Sequence, residues 1–167
     1  VIGCGGSARA VVLGLKNLNV KKITIIGRNE TSLNIFIKNM EELSTKNNIL
    51  IQGLNHKKFN VTPQIEEADL IVNTTPIGMK NKNTEKESIP LGHEIWDSLS
   101  NKTILYDLIY TPRPTNWLKL GQEKNCFTID GLDMLVEQGA LSIKLWSGFD
   151  KIPTQVMKSS AQKHLMV

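Results

Sequence analysis

Short β-branched runs alternate with stretches of helical spacing along this 167-residue chain, and no two-residue hairpin turn joins any pair of them. The runs fall at Ile23–Ile26, Ile49–Gln52, Ala68–Thr74, 102–110 and 126–131. Before the first, Ser7–Leu18 places Ala8, Val11, Val12 and Leu15 at the three-and-four spacing of one buried helix face. Asn29–Asn47 does the same with Leu33, Phe36, Ile37, Met40 and Leu43, and has Asn29 or Thr31 available as an N-cap. Further helices are expected over Thr115–Lys124, Leu132–Trp146 and Thr154–Met166, and the polar stretch Lys80–Ser88 should be a surface loop. Strands joined through helices run parallel, because each connection must carry the chain back to the same end of the sheet. Right-handed crossovers then give an α/β fold with a doubly wound, mostly parallel sheet and helices on both faces.

Composition agrees with one such domain. Hydrophobic residues at 40% and charged residues at 22% describe a globular chain, and 167 residues leave room for one substantial core. The net charge of +4 comes from 20 basic residues interleaved with 16 acidic ones, so nothing signals a nucleic-acid face, and a mild positive field suits a small anion. No apolar run approaches the roughly 20 residues that cross a bilayer. Cys4 and Cys126 lie far apart without metal-ligand spacing and read as free thiols in a reducing cytoplasm. His56, His93 and His164 are isolated from one another and read as surface residues, so no metal site is expected.

The amino-terminal stretch VIGCGGSARA carries the chemistry. Gly3, Gly5 and Ala8 stand at the three positions of the G-x-G-x-x-G/A dinucleotide fingerprint: a tight turn, close backbone approach to a pyrophosphate, and close packing of helix on strand. The anion is held by free N–H groups and the dipole at the start of the following helix. Only Val1 and Ile2 precede the loop, so the first strand of this Rossmann-like sheet is expected to be truncated. The end of the next strand tests the cofactor, since an acid there bonds the ribose 2′-hydroxyl of NAD and an arginine accommodates the 2′-phosphate of NADP. The chain reads IIGRNETS, with Arg28 at that end, which points to NADP; the alternative for Arg28 is a solvated surface arginine.

The segments GCGGSARA, DLIVNTTPIGM, YDLIYTPRPTNWL and DGLDMLVEQGALSIKLWSG together resemble the cofactor-binding domain of the shikimate dehydrogenase family, in its order and over nearly the whole chain. The resemblance implies a diphosphate loop at Gly3, Cys4, Gly5, Gly6 and Ser7, and a 2′-phosphate clamp within Gly27–Ser32, centred on Gly27, Arg28 and Asn29. The family's usual Asn-Arg-Thr is Gly-Arg-Asn here, which keeps the arginine. The strand-end residues Asn73, Thr74 and Thr75 correspond to the loop beneath the cofactor, although Thr74 and Thr75 would serve equally as turn formers before Pro76. Asp107, Leu108 and Tyr110 match an Asp-x-x-Tyr in which the second residue neighbours the nicotinamide and the tyrosine reaches the substrate. Gly131 and Met134 fall at the nicotinamide end, Met134 being otherwise core filler, and Gln138 at a substrate-bonding position on the border of an apolar face made by Leu132, Leu135, Val136, Gly139, Ile143 and Trp146.

The family's catalytic lysine and aspartate belong to a preceding domain, and no residue of this chain falls in that motif, so no catalytic residue is assigned. Residues 1–167 are thus expected to form the NADP-binding domain of a larger enzyme that interconverts 3-dehydroshikimate and shikimate, inactive alone, with closing helices from about 131 to 167 packing toward the substrate domain. Use of quinate or of NAD, or a non-catalytic nucleotide-binding module, are the alternatives. The expected partner is a small-molecule substrate rather than nucleic acid or membrane, in a cytoplasmic monomer or homodimer.

Overall fold

A computed structural model describes residues 1–80 and 88–165. The expected loop at Lys80–Ser88 lies almost wholly outside the described residues. The strands are β1 (Lys22–Gly27), β2 (Leu50–Asn55), β3 (Leu70–Asn73), β4 (Ile104–Asp107) and β5 (Phe127–Ile129). The helices are α1 (Gly6–Leu15), α2 (Glu30–Asn47), α3 (Thr62–Glu66), α4 (Asn116–Glu123), α5 (Leu132–Ser147) and α6 (Thr154–Leu165).

All ladders are parallel. β1 pairs with β2 in a register that sets Gly27 opposite Asn55, and β4 lies between β3 and β5. Ile2 joins the two sets by bridging both Ile26 of β1 and Asn73 of β3. Across the sheet the order is therefore β2, β1, the Val1–Ile2 segment, β3, β4, β5. The chain winds outward from Ile2 to one side and then returns to build the other, which makes Ile2 the point where the winding reverses.

Successive strand residues face opposite sides, and the core divides accordingly. Ile23 and Ile25 pack with Ala8 and Val12 of α1 and with Leu33, Phe36 and Met40 of α2. Ile2, Ile26, Ile71 and Leu105 face the other way, onto Ile65 of α3, Trp117 and Leu118 of α4, and Trp96. The Trp96 and Trp117 rings lie 5.2 Å apart at 54°, and the Trp96 indole donates to the Pro90 carbonyl at 2.8 Å. Trp96 stands on a 3₁₀ turn, Glu94–Ser98, and this turn and α3 have no counterpart in the sequence reading because five residues are too few to display a period.

Local signals set the helix ends. The Asn29 side chain accepts from the Ser32 N–H at 2.9 Å, which decides between Asn29 and Thr31 as the cap of α2. α1 stops at Leu15 and gives way to a 3₁₀ turn, Lys16–Leu18, closed by Asn19 at φ 53°. α5 ends at Gly148 with φ 72°, a left-handed cap that glycine adopts without strain.

The apolar face read on α5 is partly buried: Leu132, Val136 and Ala140 are inside, whereas Ile143 is exposed and Trp146 is 84% exposed. α5 packs along α6, where Met157 faces Gly139 and Lys158 pairs with Asp133 at 2.5 Å. Leu132→Ala should accordingly cost about 2–5 kcal/mol in urea unfolding. Trp146→Ala should change stability by no more than about 0.5 kcal/mol.

Candidate functional site

The carboxyl ends of β1, the Ile2 segment, β3, β4 and β5 line one edge of the sheet, and the glycine loop crosses it at the reversal point. Gly3 takes φ 107° and donates to the Ile26 carbonyl at 2.8 Å. A Cβ on Gly3 would sit 2.5 Å from Thr74 Oγ1 and 3.1 Å from Thr75 Cγ2. Thr74 holds the other side, its N–H (3.0 Å) and hydroxyl (2.7 Å) both donating to the Ile2 carbonyl. Gly3, Thr74 and Thr75 are thus brought together, and only glycine fits between them.

Gly5 and Gly6 contrast with Gly3. Gly5 caps α1 without any side-chain hydrogen bond, and a Cβ added at either position meets nothing within 4 Å. The first N–H groups of α1 therefore open outward, with Ser7 exposed beside them and Ala8 buried beneath. That arrangement fits a diphosphate brought close to the backbone. Cys4 is half-buried, its Sγ 3.5 Å from where a Gly27 Cβ would lie, so Gly27 keeps the loop close to β1.

Just past β1, Arg28 is exposed and has no acidic partner among the described residues. Asn29 spends its side-chain oxygen on the helix cap. Glu30, the first acid after the strand, is paired with Lys58. His56 is half-buried beside them, unlike the surface position expected for it, and its N–H donates to the Gly27 carbonyl at 3.1 Å. Burial first, then the charges of Lys57 and Arg28, pull its pKa below the ordinary histidine value.

The other end of the row is organised by Asp107. Its carboxylate has no solvent exposure and accepts from Asn73 Nδ2 (3.0 Å), the Ile109 N–H (3.1 Å) and Thr115 Oγ1 (2.8 Å). Burial pushes the Asp107 pKa up, and these three hydrogen bonds oppose the shift. Asn73 also binds Thr75 through its oxygen and the Ile77 carbonyl through its amide. The Leu108 N–H donates to the Asn73 carbonyl at 3.1 Å, which fixes the backbone after β4 against the end of β3. The residue types around Asp107 hint at this hub, since an acid within an apolar run must find donors if it is buried; which donors, the spacing does not say.

Gly131 closes the row. Its N–H donates to the Ile109 carbonyl at 3.1 Å, and a Cβ there would lie 2.0 Å from the Leu108 carbonyl oxygen. Leu108 and Gly131, distant in sequence, are thus in direct backbone contact. Met134 is half-buried on the first turn of α5, with Gln138 exposed one turn further on the same face. Tyr110 is exposed just beyond Ile109.

Gly131→Ala should lower unfolding stability by about 1–3 kcal/mol, since backbone must move to admit the methyl group. Gly5→Ala should change it by no more than about 0.5 kcal/mol. Thr115→Val removes both a hydrogen bond to a buried carboxylate and the α4 cap, and should cost about 1.5–3 kcal/mol. The raised Asp107 pKa means that protonation favours the folded form. That contribution is complete below the unfolded carboxylate value and is lost as pH rises through the folded value. Asp107→Asn should remove this slope from urea midpoints measured across the acid range.

Comparison with known proteins places this geometry. Residues 131–162 match the family model described as the Shikimate 5'-dehydrogenase C-terminal domain. The chain is 47% identical over 165 residues to the shikimate dehydrogenase (NADP(+)) of Prochlorococcus marinus (strain MIT 9312), covering 99% of this chain and 56% of that protein. The enzyme of that name from Trichormus variabilis is 39% identical, with 99% and 55% covered. Among solved structures, a shikimate dehydrogenase in complex with NADP+ superposes with a TM-score of 0.75 at 30% identity, over 98% of this chain and 53% of that one. A shikimate 5-dehydrogenase from Listeria monocytogenes in complex with shikimate and NAD gives 0.79 at 26% identity, over 96% and 54%. The chain spans little more than half the length of the relatives it matches. Over its own length the chain is similar to shikimate dehydrogenases, and its residues 131–162 match the C-terminal domain of that family.

Proposed function

We propose that this chain is the NADP-binding half of an oxidoreductase that interconverts 3-dehydroshikimate and shikimate. The observation that carries the proposal is the continuous strand-end row from Arg28 through the open Gly5–Gly6 cradle to the Leu108–Gly131 contact. It offers, in order, a cation, an uncapped helix start and a flat backbone platform. A dinucleotide carries a phosphorylated ribose, a diphosphate and a planar ring in the same order.

In this proposal Gly3, Cys4, Gly5, Gly6 and Ser7 receive the diphosphate through backbone N–H groups and the α1 dipole. Gly27, Arg28 and Asn29 surround the 2′-phosphate. Because Glu30 is engaged by Lys58, no free acid stands at the strand end to bond a 2′-hydroxyl, which favours NADP over NAD. Thr74 and Thr75 support the ribose, and Leu108, Gly131 and Met134 hold the nicotinamide ring and exclude water from one face. Tyr110 and Gln138 project toward the substrate. NADPH, when bound, supplies the hydride that reduces the 3-carbonyl. The chain's own residues bind and orient; the proton is handled by groups from the remainder of the longer protein.

The exposed apolar side chains of Leu141, Leu145, Trp146 and Phe149 are, in the same proposal, the surface that meets the substrate domain. No described helix is long and apolar enough to cross a membrane. The free thiols of Cys4 and Cys126 fit a reducing, cytoplasmic setting.

In the intact protein, Arg28→Ala should weaken NADP+ binding roughly 10–100-fold with little effect on NAD+. An unchanged preference would remove Arg28 from the site. Gln138→Ala should raise the shikimate KM by roughly tenfold while leaving the thermal midpoint in place. A change in thermal midpoint alone would make Gln138 structural.

A further inference from the structure

We propose that Lys57, with His56 beside it, supplies a second positive wall of the 2′-phosphate site, contributed from the end of β2 instead of the β1–α2 turn. The inference rests on the NADP reading above and concerns which residues set the choice between NADP and NAD.

The first support is geometric. The β1–β2 register aligns Gly27 with Asn55, so the two strands end flush and Arg28 and His56 leave them side by side. The backbone after β2 is then folded into a fixed turn. The buried Asn55 accepts from the Lys57 N–H through Oδ1 at 3.0 Å, and its carbonyl accepts from the N–H groups of Lys58 (3.0 Å) and Phe59 (2.9 Å). The His56 N–H is tied back to the Gly27 carbonyl. Lys57 therefore rises from a backbone held by these four hydrogen bonds, one residue beyond the His56 that lies beside Arg28.

The second support is charge. Lys58 is neutralised by Glu30, while neither Arg28 nor Lys57 has an acidic partner among the described residues. His56 lies near enough to both to have its proton affinity lowered by them. Cations gathered this way with no acid between them repel one another, and an arriving anion relieves that repulsion.

The third support is the demand of the ligand. A phosphate monoester carries about −1.5 to −2 charges near neutral pH, more than one guanidinium offsets. After Arg28 the chain has no other Lys or Arg until Lys38, which lies on the third turn of α2. The start of α2 is a poor substitute, because Asn29 already satisfies its Ser32 N–H and Glu30 sits in its first turn. The neighbouring strand end is where the remaining positive charge stands.

The test is cofactor discrimination in the intact protein, with NADP+ and NAD+ dissociation constants measured by calorimetry for Lys57→Ala, Lys57→Arg, Lys58→Ala and Arg28→Ala. The expected result is that Lys57→Ala weakens NADP+ roughly 5–30-fold, shifts NAD+ by less than about twofold, and flattens the salt dependence of NADP+ binding. Lys57→Arg should retain NADP+ binding, whereas Lys58→Ala, by freeing Glu30, should lower the ratio through tighter NAD+ binding. All of these side chains are exposed, so thermal midpoints should stay with that of the parent. If Lys57→Ala leaves the ratio within twofold while Arg28→Ala collapses it, the inference is wrong and the NADP reading stands. If the parent shows no NADP+ preference, or neither substitution alters it, both are overturned.

Discussion

The sheet is held in one piece through the Val1–Ile2 segment. Ile26 N–H donates to Val1, Ile2 N–H donates to Val72, and the Ile2 carbonyl receives both donors of Thr74. Without these bonds β1–β2 and β3–β4–β5 would be separate ladders, each with an open edge. The same bonds aim the glycine loop. Gly3 leaves this segment with its N–H on Ile26 and its Cα against Thr74, so the loop can only pass over the reversal point between β1 and β3. Position of the glycine loop and integrity of the sheet are therefore one constraint.

From that constraint the glycines divide into two kinds by what surrounds them. Gly3 and Gly131 are enforced by contact, one against Thr74 and one against the Leu108 carbonyl, and there a methyl group has no space. Gly5 and Gly6 are surrounded by nothing within 4 Å, so packing does not require them. The loop therefore combines positions where the fold itself demands glycine with positions where it does not, and in the proposed reading the latter admit close approach of a diphosphate.

Much of this was legible in the sequence because it rests on local signals. Period and flanking turns located all the strands and the long helices to within a few residues, since Ile23–Ile26 or the Leu33–Met40 stripe carry their pattern within one element. The loop at Gly3–Ser7 and the arginine at Arg28 were readable for the same reason. Less local features were not. The Asp107 hub depends on Asn73 and Thr115, which reach it from β3 and from the start of α4, and the Trp96–Trp117 contact joins segments with no shared period. The position of His56 and Lys57 beside Arg28 follows from the β1–β2 register, which pairs residues 28 apart. On α5 the apolar stripe is continuous in sequence, and within this chain only Leu132, Val136 and Ala140 of the helix are buried, while Ile143 and Trp146 are exposed.

Asp107 places a charge where stability alone would not choose one. A buried carboxylate is disfavoured, and its raised pKa records that cost. An apolar residue would remove the cost but would leave three donors unmet, those of Asn73, Ile109 and Thr115, each at a different segment. An asparagine would have to keep the Asn73 and Ile109 donors on its oxygen and reverse the third bond, its NH₂ donating to the Thr115 hydroxyl; the carboxylate accepts from all three. The carboxylate thus ties the end of β3, the backbone beyond β4 and the cap of α4 to a single point. The Leu108 carbonyl, which Gly131 approaches so closely, is held in place by that same point. The cost in folding energy is converted into a backbone platform that cannot shift without breaking several hydrogen bonds at once.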